Sequence, residues 1–147
     1  ALARGLRAYN GKALVNSVSG KDAVMDAVFP LVRRYGGAVV ALLLDENGKA
    51  MTKFNTNVGP ANPRSVIGYY EPGHYCLVVV DGRQEGYSMG LSMKELSKLM
   101  FDLGCKEAYN LDGGETAMMA FDGKLTSKPS NGGRENCDIV YIGEPLE

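Results

Sequence analysis

An uninterrupted apolar run, AVVALLL from Ala38 to Leu44, is the stretch of sequence that decides the expected fold. A run of this kind, without polar alternation, predicts a strand that is buried on both faces of a sheet. Upstream, residues 13–18 form a shorter apolar strand, and residues 21–35 carry apolar side chains at helical spacing. Gly36 and Gly37 are placed to end that helix. The N-terminal third of the chain therefore predicts one β-α-β unit.

The rest of the chain predicts short strands, a second helix and a hairpin. Ser92 opens this helix as an N-cap with Glu95 in a capping box, and Gly104 ends it. The expected strands are residues 65–70, 75–80, 107–111, 117–121, 124–126 and 139–142. The whole pattern predicts the α/β class, with α+β as the alternative: a mixed sheet of about five to seven strands with two main helices.

Composition and charge exclude several classes of function. The 147 residues are the usual size of one domain, and 16 basic against 17 acidic side chains give a net charge of −1. General electrostatic binding to nucleic acid needs a basic excess, so no nucleic-acid partner is expected. No apolar run approaches the roughly 20 residues of a membrane span, so no membrane partner is expected. The chain begins at Ala1 without a signal-like segment, which leaves secretion open.

The three cysteines, Cys76, Cys105 and Cys137, are an odd and widely spaced set. Such a set is neither a disulfide framework nor a zinc site. Cys76 lies in an apolar strand and Cys105 follows a helix end, so both are predicted to be buried structural thiols. No metal site is predicted.

Charged side chains gather at the predicted strand ends. Asp81 and Asp112 each end an apolar strand before a glycine, and Arg64, Arg83 and Arg134 lie at a strand start or in nearby loops. Open sheets place their sites at strand ends, and arginine forks suit phosphate oxygens. Paired carboxylates can act as acid and base in cleaving a phosphate- or sugar-linked substrate. The alternative interpretation is that the Asp-Gly pairs are ordinary turns and the arginines are solvated.

A series of short motifs follows in unbroken order between residues 54 and 147. The motifs are RSVIG at 64–68, VVVDGR at 78–83, GYSMGLSMKEL at 86–96, LGC at 103–105, AYNLDGG at 108–114, KPS at 128–130, and Arg134. This order resembles the phosphodiester glycosidase family. The resemblance implies hydrolysis of sugar phosphodiesters, in bacteria by extracellular or envelope proteins.

The resemblance also implies which residues form the site. It makes the NLDGG stretch at 110–114 the site signature, with Asp112 and Asp81 as catalytic carboxylates. The residues assigned to the substrate or its phosphate are Arg64, Arg83, Asn110, Gly113, Gly114, Thr116 and Arg134. The amides around Gly113 and Gly114 are expected to form an anion-binding nest.

One departure from the family pattern concerns Glu115 and Thr116, where the family commonly has glycine and serines. A carboxylate at Glu115 changes the charge beside Asp112 and is expected to raise one pKa of the pair. Glu115 then either serves as a third catalytic acid or spoils phosphate binding.

The N-terminal segments resemble a different family. They read GKALVNSVSG at 11–20, AVFPLV at 27–32 and YGGAVVAL at 35–42. They are similar to the pterin-binding methyltransferase domain of cobalamin-dependent methionine synthase, a (β/α)8 barrel whose matching asparagine, here Asn16, binds the pterin. A β-α-β piece is about a quarter of such a barrel and cannot enclose a folate, so Asn16 is predicted to be vestigial. The two resemblances predict a chimera of residues 1–50 and 51–147, joined near residues 45–55 into one folded unit.

Two functional hypotheses remain open at this point. The first is hydrolysis of a small-molecule or glycan phosphodiester. The second is a chimeric or truncated folded domain without enzymatic activity. It has two forms, an inert fold and a module that self-associates as a homodimer through unpaired strand edges. No cofactor is predicted, although residues 45–48 faintly resemble part of a calcium loop and leave calcium open. Localisation is open too, because the glycosidase resemblance points outside the cell and the methyltransferase resemblance to the cytoplasm.

Overall fold

The computed structural model describes residues 14–18, 27–28, 30–31, 34, 38–54, 58–136 and 139–143. Within these ranges the bounded elements are β1 (Leu14–Val18), β2 (Ala38–Leu42), β3 (Arg64–Glu71), β4 (His74–Val80), α1 (Met93–Asp102), β5 (Glu107–Asn110), β6 (Ala120–Phe121) and β7 (Lys124–Leu125). Two single 3-10 turns lie at Gly114–Thr116 and Ser130–Gly132.

A mixed sheet with the strand order β1-β2-β5-β3-β4 organises the molecule. β1 and β2 run parallel, while β5 is antiparallel to both β2 and β3, and β3 is antiparallel to β4. β2 pairs with β5, with Ala41 opposite Asn110, and this pairing joins the N-terminal strands to the rest of the sheet. β6 and β7 form a separate hairpin. The structure is thus a mixture of sheet and helix.

The core lies between α1 and one face of the sheet. Its buried members are Leu43, Leu44, Val66, Met93, Leu96, Met100, Cys105 and Ala108. Alternate residues of β3 point into it, because a strand turns successive side chains to opposite faces. The Ser97 hydroxyl, also buried, donates to the Leu43 carbonyl and so ties the helix to the strand beneath it.

The ends of α1 follow the local signals in the sequence. Ser92 accepts a hydrogen bond from the Glu95 amide, and the Glu95 carboxylate accepts one from the Ser92 amide at 2.8 Å, which completes the capping box. Leu103 is the C-cap, and Gly104 follows it with φ +79°. The Gly104 amide then donates to Phe101 and the Cys105 amide to Met100, which is the pattern of a Schellman motif.

Strand direction determines which chain segments meet. β3 is antiparallel to both of its neighbours, with Arg64 opposite Val80 and Val66 opposite Asn110. The start of β3 therefore lies at the same edge of the sheet as the ends of β4 and β5. The loops that follow β4 and β5, which hold Asp81 and Asp112, must leave from that edge.

Several expected elements differ from the structure. The predicted strand at 139–142 is wrong, because residues 139–143 form no strand and pair with no described neighbour, and Ile142 is 87% exposed. High β-propensity makes a strand only where a partner is available. The predicted strand at 117–121 shrinks to Ala120–Phe121, since the chain first passes through the 3-10 turn at Gly114–Thr116. Of the predicted helix at 21–35, the described residues 27, 28, 30, 31 and 34 are helical, and the others lie outside the described residues.

No helix in the described part of the chain has the length and apolar character needed to cross a membrane.

Candidate functional site

Four segments meet at the edge where β4 and β5 end. They are residues 58–64 before β3, 81–90 after β4, 112–117 after β5 and 128–134 near the end of the described chain. The first three are packed backbone against backbone. A Cβ at Gly90 (φ +90°) would lie 2.3 Å from the Asn62 carbonyl, and one at Gly113 would lie 2.6 Å from the Pro63 oxygen. No side chain fits at either place, so glycine is required there for close approach.

Arg64 begins β3 and is almost fully buried under these loops. Its guanidinium donates to three backbone carbonyls, Leu91 at 3.1 Å, Val58 at 2.8 Å and Pro60 at 2.6 Å. Burial, and next the nearby charge of Arg83, lower the pKa of Arg64. Arg64 therefore fixes the loop before β3, and it adds positive charge beneath the site.

Arg83 reaches across from the loop after β4. Its backbone has φ +57°, an uncommon conformation for a residue with a side chain, and its Nε donates to Asn62 Oδ1 at 3.0 Å. Its two Nη atoms lie 3.3 Å from where a Cβ would stand on Gly114. A glycine at position 114 thus leaves room for the guanidinium over the loop that follows β5.

Asp81 connects the loop after β4 to the segment at 128–134 through hydrogen bonds. Its two carboxylate oxygens accept from the Lys128 amide at 3.0 and 2.9 Å, and Oδ2 also accepts from the Tyr87 hydroxyl at 2.9 Å. This hydrogen bond, and then the charge of the carboxylate, raise the pKa of Tyr87. The Lys128 ammonium lies 4.5 Å from the Tyr87 ring centre, within cation–π range. The carboxylate of Asp81 is thus occupied by contacts within the protein.

Asp112 is the more accessible carboxylate, with its side chain half exposed. Oδ1 accepts from the Gly113 amide at 3.0 Å, and Oδ2 lies 3.7 Å from an Nη atom of Arg134. The Gly114 amide donates to the Pro63 carbonyl at 3.1 Å. The amides of Gly113 and Gly114 both donate within the protein, so these two amides do not form an open anion nest here.

Glu115 and Thr116 make contacts that hold the loop after β5 in place. The Glu115 carboxylate accepts from Asn131 Nδ2 at 2.7 Å, which connects this loop to the 128–134 segment. The Thr116 hydroxyl donates to the Gly113 carbonyl at 2.9 Å. No hydrogen bond joins Glu115 to Asp112 among the described contacts.

Asn110 ends β5 directly before the loop. Its Nδ2 donates to the Leu111 carbonyl at 2.8 Å, while its Oδ1 is buried and has no hydrogen-bond partner among the described residues. Buried polar atoms are usually paired, so an unpaired acceptor at this position is uncommon.

The structure brings most of the sequence-predicted site residues to one edge of the sheet. Arg83 lies against Gly114, and Asp112 lies beside Arg134, but no hydrogen bond or ion pair connects Asp81 with Asp112. The roles of all these residues stay predictions. Asn16, the predicted pterin residue, lies on β1, and its side chain is outside the described residues.

Sequence reasoning missed four residues that hold the site together: Asn62, Tyr87, Lys128 and Asn131. Tyr87 and Lys128 lie inside motifs of the glycosidase resemblance, which was a usable signal. Asn62 lies in a polar loop, and Asn131 in a glycine-rich one, with no local pattern that indicates a partner. Among the described residues, no group of three or more His, Cys, Asp or Glu side chains is placed to hold a metal ion.

Comparison with curated proteins gives distant relatives of known activity. The bovine N-acetylglucosamine-1-phosphodiester alpha-N-acetylglucosaminidase is 27% identical over 90% of this chain and 28% of its own length. The human protein of the same name is 26% identical over 90% of this chain and 29% of its own length. The chain thus spans less than a third of these relatives.

Two bacterial proteins match shorter parts of the chain. The SPbeta prophage-derived uncharacterized protein YomE of Bacillus subtilis is 34% identical over 57% of this chain and 13% of its own length. A solved structure, of a hypothetical protein from Synechocystis, superposes with a TM-score of 0.50 at 27% identity, over 60% of this chain and 17% of that one.

The sequence profile of the phosphodiester glycosidase family matches residues 8–142. This range includes the N-terminal segment that resembles the methyltransferase domain, and it passes through the expected junction at 45–55. The matches give no support to a methionine synthase piece or to a chimera. The division at residue 50 and the single folded unit over 1–147 stay predictions. With nearly all of its length matched, the chain belongs to the phosphodiester glycosidase family.

Proposed function

We propose that this chain binds a sugar phosphodiester at the loop edge of its sheet, where residues 58–64, 81–90, 112–117 and 128–134 meet, and takes part in hydrolysing it. The observation that carries the proposal is the position of the Arg83 guanidinium over Gly114, in the loop that also presents the half-exposed Asp112. A cationic fork next to an accessible carboxylate suits a substrate that carries both a phosphate and an acid-labile glycosidic bond.

Recognition of the phosphate falls to the arginines in this proposal. Among the described residues no carboxylate lies within ion-pair distance of Arg64 or Arg83, so no described carboxylate neutralises either charge. Arg64 is buried and donates to three backbone carbonyls, whereas Arg83 is exposed and has Nη donors on the loop side. Arg83 is therefore the residue proposed to contact the phosphate directly. Arg64 adds positive electrostatic potential and holds the loop before β3 in place.

Asp112 is the proposed acid–base group. Its carboxylate accepts a proton from the attacking water as the bond between the sugar and the phosphate oxygen breaks, which yields the free sugar and a phosphomonoester. Arg83 stabilises the charge that develops on the departing phosphate. Arg134 lies close enough to Asp112 to hold the carboxylate in place.

The other two predicted catalytic carboxylates receive positioning roles in this proposal. Asp81 already accepts hydrogen bonds from Lys128 and Tyr87, and Glu115 accepts one from Asn131. Both carboxylates tie the 128–134 segment to the loops after β4 and β5. They would position Arg134 and the edge of the site rather than transfer a proton.

Binding and turnover are separable parts of the proposal, because the chain spans less than a third of its curated relatives. Binding requires only the arginine and loop contacts described above. Turnover requires that this chain also supplies every group that activates water.

The test measures sugar release from a chromogenic sugar phosphodiester, with and without added calcium. Asp112→Asn should reduce kcat/KM by roughly 10²- to 10⁴-fold, the usual share of an acid–base group. Asp122→Asn, in the exposed turn between β6 and β7, is the matched control and should leave the rate unchanged. Equal rates for native protein and Asp112→Asn would contradict the assignment of Asp112.

Calorimetric titration with the same phosphodiester tests recognition alone. Arg83→Gln should weaken binding, and Lys124→Gln, an exposed cation on β7, should not. Binding that depends on Arg83 without any turnover would restrict the proposal to recognition. If Arg83→Gln binds the phosphodiester as tightly as the native protein does, the observation that carries the proposal no longer supports it.

A further inference from the structure

Two of the three cysteines meet at the edge of the sheet opposite the candidate site. The Sγ atoms of Cys76 and Cys105 lie 3.7 Å apart, and both are free thiols. Cys76 is the third residue of β4, and Cys105 lies between the end of α1 and the start of β5. They are 29 positions apart in sequence, so their spacing gives no hint of the contact.

A glycine on the central strand makes the space in which these sulfurs meet. β3 lies between β4 and β5, and Gly68 is opposite both Cys76 and Ala108. A Cβ at Gly68 would stand 2.6 Å from the sulfur of Cys76 and 2.7 Å from that of Cys105. Any larger residue on β3 at this position would force the thiols apart.

We propose that Cys76 and Cys105 form a reversible disulfide by exchange with a small-molecule disulfide such as glutathione disulfide. Bond formation requires the two sulfurs to approach from 3.7 Å to about 2.05 Å. The bridge would pass over Gly68 and connect the edge strand β4 to the turn before β5. It would therefore clamp the central strand between its two neighbours.

Accessibility sets the order of the two exchange steps. Cys76 is half-buried, whereas Cys105 is 5% exposed, and burial raises the pKa of the Cys105 thiol. The Cys76 thiolate attacks glutathione disulfide, which forms a mixed disulfide and releases one glutathione thiolate. Cys105 loses its proton to solvent and attacks the Cys76 sulfur, which expels the second glutathione. The two protein thiols are oxidised to one disulfide, and one glutathione disulfide is reduced to two glutathiones.

The bridge is expected to stabilise the fold rather than to alter the candidate site. It lies at the starts of β4 and β5, while Asp81 and Asp112 follow the ends of those strands. It closes a loop that contains α1 and the Asp81 segment, which reduces the freedom of the unfolded chain. A loop of this length predicts a rise in Tm of roughly 5 to 15 °C on oxidation.

The experiment uses the full chain in buffers of defined ratios of reduced to oxidised glutathione, followed by acid quench, alkylation and tryptic mapping. Trypsin separates the three cysteines into the peptides 65–83, 99–106 and 135–147. The expected product joins peptides 65–83 and 99–106 with the loss of two hydrogens. It should form in the Cys137→Ser variant as well, and dithiothreitol should reverse both the link and the rise in Tm.

Two variants make the outcome decisive. Cys105→Ala removes the resolving thiol, so Cys76 should accumulate as a stable glutathione adduct without a rise in Tm. Gly68→Ala should suppress the link if it folds, because the added methyl occupies the space between the sulfurs. The proposal is overturned if the folded native chain keeps free thiols or only glutathione adducts at Cys76 and Cys105 in the oxidising buffers. A link from either cysteine to Cys137 in place of the expected one overturns it equally.

Discussion

The helix-covered face of the sheet and its loop edge are stabilised by different interactions. On the face, α1 buries Leu96 and Met100 completely against strand residues, and apolar burial provides the stability. At the loop edge, the buried groups include Arg64 and Asn110, and the contacts are hydrogen bonds and close backbone packing. The face tolerates changes that conserve volume, whereas the edge depends on exact positions of backbone atoms.

The candidate site is therefore held by specific hydrogen bonds and close backbone contacts rather than by apolar burial. The loops after β4 and β5 hold Arg83 and Asp112 through contacts with the segment at 58–64 and with the loop at 128–134. A substitution that removes one of these contacts should disturb the site even when the substituted residue touches no substrate. Three substitutions, two at the loop edge and one at the start of α1, test how far the stability of the fold depends on each kind of contact.

The largest effect is expected for Gly90→Ala. A methyl there would meet the Asn62 backbone at 2.3 Å in a φ +90° conformation, so strain and overlap together should cost about 4 kcal/mol of unfolding free energy. Gly86→Ala is the matched control, since it has φ +76° but nothing within 4 Å of the added methyl. It should cost only about 1 to 2 kcal/mol from strain. Denaturant unfolding measures both, and equal losses would show that the close packing of these loops contributes little.

The same contrast decides what could be predicted from the sequence. The capping box of Ser92 and Glu95 and the Gly104 signal are local patterns, and the structure confirms both of them. The strands at 65–70 and 75–80 were likewise found to within a residue or two at each end. Elements whose stability comes from neighbours in sequence are visible in the sequence itself.

Contacts between distant residues are not visible in this way. The sequence indicated that Asp81 and Arg83 belong near a site, but nothing in it showed that Asp81 bonds the Lys128 amide, 47 positions away, or that Arg83 bonds Asn62. The strand expected at 139–142 failed for the same reason, since its pattern was right but no partner strand is there among the described residues. Pairing partners are a property of the fold as a whole.

A smaller effect is expected for Asp81→Asn. An amide keeps one oxygen for the Lys128 and Tyr87 donors but turns an NH2 group toward one of them, so the loss should be about 1 to 2 kcal/mol. Asp102→Asn, which removes an exposed helical ion pair with Lys98, should cost less than about 0.5 kcal/mol. Thermal melts of the two variants give the comparison. If Asp81→Asn lowers the stability no more than its control does, the hydrogen bonds between the loop after β4 and the segment at 128–134 are not an important source of stability.

The smallest expected effect on stability concerns the N-terminus of α1, and it depends on pH. Hydrogen bonds from the Ser92 hydroxyl and then its amide lower the pKa of Glu95 in the folded protein below its usual 4.5. A carboxyl with a lowered folded pKa stabilises the fold above its unfolded pKa, and this stabilisation is lost as the pH falls through the folded value. The native protein should therefore be more stable than Glu95→Gln at about pH 7, and the difference should shrink as the pH is lowered from about 5 to about 3.

Urea midpoints across this range measure the Glu95 effect, and the Ser92→Ala background provides its control. Without the hydroxyl that contributes most to the lowered pKa, the pH dependence of the Glu95→Gln difference should be weaker. A difference that stays constant with pH would mean that the capping box acts through its geometry alone. If Ser92→Ala leaves the pH dependence unchanged, the lowered pKa of Glu95 comes from the backbone amide of residue 92, which both backgrounds retain. The local sequence would then explain the stability of the helix start even without the serine side chain.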